Sequence, residues 1–318
     1  MPLPILVTGL PRSGTTFIAS VLSQPEHVYN IGEPFLHRVG ADHHYPYYRT
    51  KTTNGTRYDR LLRQVFRYKE LFRYRVKTLE SSLKGIRRYV LGSGRTLEYV
   101  QAWWITQVLG REGRLLAKEP HALMLTLPLV QDRDCRVLVL VRHPGGQVSS
   151  KLSLGWTRPR DRPRSLLDQP KLIEDHLSWL PDMLSETERS PVEDLGLMWR
   201  AQYSVLLNYL DEIGGAEHLR VVRHEDVCLN PIDQFSSLYD WAGLPWTQEV
   251  EATIEELTSS RNPTERSEKT DPHQHRHRRD SSTVVDVWKR RLTKEQIRKL
   301  RTVTEPVASE FYDEETWH

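Results

Sequence analysis

The stretch Ile5-Leu6-Val7-Thr8-Gly9-Leu10-Pro11-Arg12-Ser13-Gly14-Thr15-Thr16 narrows what this chain can fold into more than any other. Ile5 to Thr8 reads as a buried strand. A helix is expected from Thr15 to Leu22, because Phe17, Ile18, Val21 and Leu22 recur at helical spacing. The turn between them keeps the glycine spacing of a Walker A loop in Gly9 and Gly14, and Thr16 keeps its hydroxyl. Thr15 stands where that loop has its lysine, and Arg12 brings a cation in from within the turn. In ATP-binding loops the lysine reaches the β- and γ-phosphates. This loop is therefore expected to hold a phosphate outside any triphosphate chain with Mg²⁺. The backbone N–H groups of Ser13, Gly14, Thr15 and Thr16 should converge on it, where the helix dipole also favours an anion.

The rest of the chain alternates strand and helix signals, which implies a doubly wound parallel sheet flanked by helices. Val28 to Phe35 reads as a short strand or extended edge that carries Glu33 towards the loop. Arg114 to Lys118 is a strand, and a helix is expected from about His121 to Gln131. Arg136 to Val141 is continuously apolar after its first residue, as in a central parallel strand covered on both faces. Residues 155–171 read as an exposed loop, 172–189 and 194–213 as helices, and Leu219 to Arg223 as a strand. A helix after Pro231 should stop at Gly243, which suits a C-cap. A last helix is expected to start after Thr293 and run to about Val303. With no repeat or clear linker, the whole of 1–318 reads as a single domain. A helical and loop insertion at 41–96 is expected near the second substrate.

Bulk properties set limits on function. Lys and Arg total 45 against 42 Asp and Glu, a net +3, too balanced for nucleic-acid binding through the overall field. The local balance is sharper, with 13 basic and 3 acidic residues from Lys51 to Arg95. That stretch reads as an anion-recognising surface, a lid or a solvated face. Cys135 and Cys228 are the only cysteines, which leaves no disulfide framework and no zinc quartet. The first strand starts too close to Met1 for a leader, and no apolar run approaches the roughly 20 residues of a membrane span. A cytoplasmic protein without membrane partners is expected.

A second anion site is suggested where Val141-Arg142-His143-Pro144 leaves the central strand, with Ser149 and Ser150 in the next helix. Open α/β sheets bind ligands at that edge. Neither this strand nor Leu115 to Lys118 ends in the Asp that Mg²⁺ enzymes of this loop type use, so no metal is required. Glu119 reads as a structural partner. His273, His275 and His277 alternate but have no carboxylate or Cys companion, and they are not read as a metal site.

Taken together, these residues resemble the sulfotransferases that use 3′-phosphoadenosine 5′-phosphosulfate (PAPS). Pro11 to Phe17 is similar to the loop that holds the 5′-phosphosulfate, and Arg142 with Ser150 is similar to the 3′-phosphate grip. Val222-Arg223-His224-Glu225-Asp226 with Asn230-Pro231 and Trp241 to Pro245 resembles the family's Y-E-D-L…N-P…F-L-G-L-P stretch. Trp288-Lys289-Arg290-Arg291-Leu292-Thr293 resembles its W-K-x-x-L-T segment. Arg12 replaces the lysine of the cytosolic small-molecule enzymes and is similar to carbohydrate and bacterial members. The K-T-H base motif is missing, its nearest counterpart being Lys118-Glu119-Pro120-His121. Gly32-Glu33-Pro34-Phe35 is similar to the E-P-[LF] segment of carbohydrate enzymes, in which a glutamate is the base.

The resemblance implies in-line transfer of a sulfuryl group from PAPS to a hydroxyl, tilted towards a sugar, or to an amine, leaving PAP without a metal. It implies donor contacts from Arg12, Ser13, Gly14, Thr15, Thr16, Arg142 and Ser150, with Arg290 and Arg291, or Arg278 and Arg279, adding charge around the 3′-phosphate. Arg12 would steady the leaving oxygen, Lys118 would supply a second cation or a proton, and Glu33 would act as base, with His121 as its rival. His37 and His43 are weaker competitors, and Trp156 could line the acceptor cleft. The rival readings are a P-loop small-molecule kinase using ATP and a PAP-binding protein without catalysis.

Overall fold

The structure, a computed structural model, describes residues 3–30, 33, 114–131, 135–157, 163–185, 189–215, 217–264 and 279–318. The expected insertion at 41–96, its basic stretch, His37, His43, Arg278 and the histidines at 273, 275 and 277 lie outside the described residues.

Elements are numbered along the described residues. The chain opens with β1 (Ile5–Gly9), α1 (Thr15–Leu22) and β2 (Val28–Asn30). After β3 (Arg114–Lys118), the expected helix divides into a 3₁₀ turn, Leu123–Leu125, and α2 (Thr126–Gln131). Then come β4 (Arg136–Val141) and α3 (Pro144–Leu152), with Pro144 at a first helical position that needs no N–H. Residues read as exposed loop contain a 3₁₀ turn, Pro163–Leu166, in which Pro163 and Leu166 are buried. Their apolar side chains join the core under the long helix, which a proline-rich composition does not reveal.

The helical stretch after residue 170 is two short helices, α4 (Pro170–His176) and α5 (Leu180–Ser185), before α6 (Pro191–Ile213). Ser190 and Glu193 form a capping box that starts α6, and Gly214 ends it in the left-handed region. β5 (Leu219–Arg223) runs straight into α7 (His224–Leu229) and α8 (Pro231–Ala242), and Gly243 caps α8 as expected. α9 (Gln248–Thr258), α10 (Ser281–Val284) and α11 (Val287–Arg291) precede α12 (Lys294–Ala308) and a closing 3₁₀ turn, Glu314–Trp317. α12 continues past Val303 and through Pro306 because Leu300, Val303, Thr304, Val307 and Ala308 are buried on one face. Packing there outweighs the helix-breaking tendency of a proline in the last turn.

Among the described residues all strand pairings are parallel, and the sheet order is β2-β3-β1-β4-β5. Neighbouring side chains along a strand go to opposite faces. On one face Leu6, Leu115, Ala117, Val137, Val139 and Val141 meet Trp199, Tyr203, Trp288 and Tyr312. On the other, Ile5, Val7, Leu116, Leu138 and Leu140 meet α1, α8 and α9. Both faces are therefore covered, which accounts for the unbroken apolar run of β4. A third cluster gathers Leu166, Leu172 and Leu180 under α6.

The chain leaves β1 towards β2 and leaves β4 towards β5, so the connections diverge between two adjacent strands. That divergence opens the crevice in which parallel sheets bind ligands. Leu138 is fully buried in β4. Leu138→Ala should destabilise the fold by about 2–5 kcal/mol, read as a lower urea midpoint with an unchanged m-value.

Candidate active site at the carboxyl edge of the sheet

The loop after β1 is held in a conformation that most side chains avoid. Arg12 has φ 78° and Gly14 φ 96°, both left-handed. Such alternation turns successive N–H groups inward to form an anion-binding concavity. The Ser13 N–H closes back on the Leu10 carbonyl at 3.0 Å. α1 follows with Gly14 as its N-cap, no side-chain cap and no acidic residue in its first turn. Its leading N–H groups are therefore available to an anion. The Ser13 hydroxyl is buried, with no hydrogen-bond partner among the described residues.

Gly14 is also pinned by a neighbour. A Cβ there would come within 2.5 Å of His224 Nδ1, so the loop rests directly on that imidazole. Burial, then Arg142 and Arg279, pulls the His224 pKa well below its ordinary value, and the ring is neutral at neutral pH. Its other neighbour is Cys228, whose Sγ lies 3.4 Å from Nε2. Burial pushes that thiol up to about 12, so it is not a nucleophile. Cys135 and Cys228 are both buried, and neither is part of a disulfide.

Arg12 joins the two expected anion sites. Its Nε donates to Ser150 Oγ at 2.9 Å, and its carbonyl accepts from Arg142 Nη1 at 2.9 Å. Gln147 Nε2 adds a bond to the Pro11 carbonyl at 3.0 Å, so the side of α3 stitches the loop in place. The Arg12 guanidinium also lies 5.9 Å from the Trp156 ring centroid, within cation–π range. Arg142 is itself anchored, since Trp199 Nε1 donates to its carbonyl at 2.9 Å. Burial lowers the Arg142 pKa, Glu225 opposes that shift and Arg291 adds to it. The guanidinium still keeps its proton. Arg291, the weakest of the influences on it, puts a second cation in the field of the first. Arg290 and Arg291 are both exposed at the end of α11.

Lys118 and Glu33 form an ion pair through Nζ and Oε1, with side chains 5% and 18% exposed. Lys118 ends β3 and pairs with Val7 in register, which places it one strand away from the loop. Glu119, fully buried, accepts from the His121 N–H at 3.1 Å, and its carbonyl accepts from Thr8 Oγ1 at 2.9 Å. The turn around His121 is thus built on Glu119 rather than on the Lys118–Glu33 pair. Sequence reasoning had named Glu33 and Lys118 separately, and their pairing across 85 positions carries no local signal. It missed Trp199, and it placed His224 and Glu225 in a family motif without their contacts to Gly14, the His143 N–H and Tyr312.

His143 caps α3 by accepting from the Gly145 N–H at 3.1 Å. Its ring stacks on Trp288 at 4.6 Å and meets Tyr312 and Trp317 edge-on at 4.9 and 4.4 Å. Burial, then Lys289 and Arg142, pushes its pKa down to about 3.

Gly14→Ala should lower stability by about 1–3 kcal/mol through backbone strain and the clash with His224. Adding His224→Ala should recover only part of the loss, because the strain at φ 96° remains; thermal melts of both proteins check this. A histidine kept neutral in the fold binds fewer protons than the unfolded chain as pH falls from 6.5 towards 3, so folding stability drops across that window. His143→Asn, which keeps a capping oxygen, should flatten this drop in urea titrations at stepped pH.

Among the described residues no helix is long and apolar enough to cross a membrane. The model of the sulfotransferase family matches residues 4–248, more than half of the chain. Among solved structures, the chain is similar to a sulfotransferase domain from the curacin biosynthetic pathway, with TM-score 0.53 and 15% identity over 98% of this chain and 99% of that one. It is also similar to the sulfotransferase domain of the Synechococcus PCC 7002 olefin synthase (TM-score 0.49, 16% identity, 98% of this chain and 97% of that one). The mouse sulfotransferase SULT7A1 complexed with PAP matches with TM-score 0.48 and 12% identity over 97% of this chain and 89% of that one. No curated protein matches the sequence significantly. The five-stranded parallel sheet of the described residues and the family match lead to one statement: the chain belongs to the sulfotransferase family, whose members transfer a sulfuryl group.

Proposed function

We propose that the protein transfers a sulfuryl group from PAPS to an acceptor hydroxyl or amine. The observation that carries this reading is the closed linkage of Arg12, Ser150 and Arg142, which ties the anion-binding loop to a second cationic position on the adjacent strand. A nucleotide with separate groups at its 5′ and 3′ positions needs two such sites, whereas a triphosphate chain needs one extended site with a lysine and a metal. Three features fit the donor: the uncapped N-terminus of α1, the unpartnered Ser13 hydroxyl, and the neighbouring charges of Arg142 and Arg291. Ser13, Gly14, Thr15, Thr16 and Arg12 would hold the 5′ end. Arg142 and Ser150 would hold the 3′-phosphate, with Arg290 and Arg291 adding positive potential.

The donor supplies a sulfuryl group whose release leaves charge on a phosphate oxygen. Arg12 holds a permanent positive charge beside that oxygen, so its contribution is electrostatic and involves no proton. Glu33 takes the proton of the acceptor hydroxyl as that oxygen bonds to sulfur. Lys118 keeps the carboxylate fixed through the ion pair, in a setting shielded enough that losing either partner leaves a costly lone charge. The likeness of Gly32 to Phe35 to carbohydrate enzymes favours a sugar hydroxyl as acceptor, and the chain reads from its sequence as one domain.

Glu33→Gln should lower kcat by about 10²-fold or more, as expected for a lost general base, with PAP affinity nearly intact. Retained activity in that variant, with activity lost in His121→Ala, would transfer the role to His121. Calorimetry should show PAP binding in preference to ATP–Mg²⁺, and the reverse preference would overturn the donor assignment in favour of a kinase. PAP binding without turnover across a screen of sugar, alcohol and amine acceptors would point to a non-catalytic PAP-binding protein.

A further inference from the structure

We propose that Glu225 is a positioning residue for Arg142, clamped in place by Tyr312 from the C-terminal segment. The proposal rests on the reading of Arg142 as the grip on the donor's 3′-phosphate.

Glu225 lies in the first turn of α7, directly after β5, and is about nine-tenths buried. β5 pairs with β4 up to Arg223 opposite Val141, so Glu225 comes beside the point where β4 hands over to Arg142 and His143. Its two carboxylate oxygens are divided between separate parts of the chain. Oε1 accepts from the His143 N–H at 3.0 Å, and Oε2 accepts from the Tyr312 hydroxyl at 2.8 Å. Accepting at both oxygens suits the ionised form, which has no donor of its own. Burial raises the Glu225 pKa, and Arg142 is the largest influence opposing it. Arg142 is thus its principal counter-charge.

The bond to the His143 N–H fixes the peptide that links Arg142 to the next residue. Trp199 at the Arg142 carbonyl and Glu225 at the His143 N–H hold both polar groups of the one peptide that follows Arg142, which fixes the base from which its side chain extends. Without Glu225 the buried guanidinium would be left with its charge uncompensated, which is strongly destabilising.

Tyr312 completes the clamp from beyond the family match, which ends at residue 248. Its ring packs against His143, and Trp288 and Trp317 enclose the same imidazole. Arg223 adds a second tie, donating to the Phe311 carbonyl at 3.0 Å while paired with Asp226. The C-terminal segment is thereby locked to the strand end that carries Arg142.

The test compares adenosine 3′,5′-bisphosphate with adenosine 5′-phosphate by calorimetry, with thermal melts alongside. Wild-type protein should prefer the bisphosphate. Glu225→Gln should lose about tenfold of that preference, on the scale of one charged hydrogen bond, while the 5′-phosphate binds within about twofold of wild type. Tyr312→Phe keeps the carboxylate and frees one of its oxygens. It should shift the preference in the same direction by about threefold, and it serves where Glu225→Gln fails to fold. Equal loss for both nucleotides would mean a purely structural role and would overturn the proposal. So would an unchanged preference in both variants. A stronger preference in Glu225→Gln would mean that the carboxylate merely repels the phosphate, and it overturns the proposal too. A wild-type protein with no preference overturns the donor reading and this proposal with it, whereas a wild-type preference that the variants retain overturns this proposal alone.

Discussion

The hydrogen bond from Arg142 to the Arg12 carbonyl crosses the gap left where β1 and β4, adjacent and parallel, send their chains in opposite directions. A parallel sheet creates such a gap at one place only, and there the backbone runs out of strand partners just as two loops begin. Here the opening is closed by cations rather than by apolar packing. Arg12 in a left-handed conformation, Arg142 at a strand end and Lys118 one strand over all gather at the carboxyl edge. Positive charge concentrated near a helix N-terminus is unfavourable unless anions balance it, and Glu33 beside Lys118 and Glu225 near Arg142 supply part of that balance.

Keeping such charges in place requires support from the layers behind them. Tyr203 donates to the Leu140 carbonyl at 2.8 Å and Trp199 to the Arg142 carbonyl at 2.9 Å, so α6 holds the end of β4 from the side. The aromatic enclosure of His143 fixes the start of α3 from the other direction. Trp288 packs so closely on Gly145 that a Cβ there would lie 2.4 Å from the ring. Burying a neutral histidine among three aromatic rings costs stability in acid, and in return it leaves the first turn of α3 little freedom. Glu225 brings a buried negative charge to this crowded region.

Much of the fold was legible because its signals are local. β1, α1, β3 and β4 were read with at most one residue of error at their ends, and Gly243 was read as the cap of α8, since strand runs, helical spacing and glycine caps depend on neighbours in sequence. α9 was missed because its stretch is dominated by Glu and Thr, and only Val250 and Ile254 mark its buried face. The split of α4 from α5, and the passage of α12 through Pro306, follow from what those helices pack against. The candidate site was legible as a set of residue types but not as a set of partners. Arg12, Glu33, Lys118, Arg142 and Ser150 stand out in the sequence, while the pairs they form span from 85 to 138 positions.

By itself, then, the sequence determined the parallel sheet, the strand-loop-helix around Gly9 and Gly14 and the family, because each is written in short contiguous patterns of backbone preference and side-chain type. Tertiary structure alone decided that Lys118 faces Glu33, that Arg12 bridges to Ser150, that His224 seats Gly14 and that Tyr312 reaches Glu225. Those contacts join side chains carried on different strands and helices. Their meeting depends on strand order and sheet twist, which no local spacing encodes.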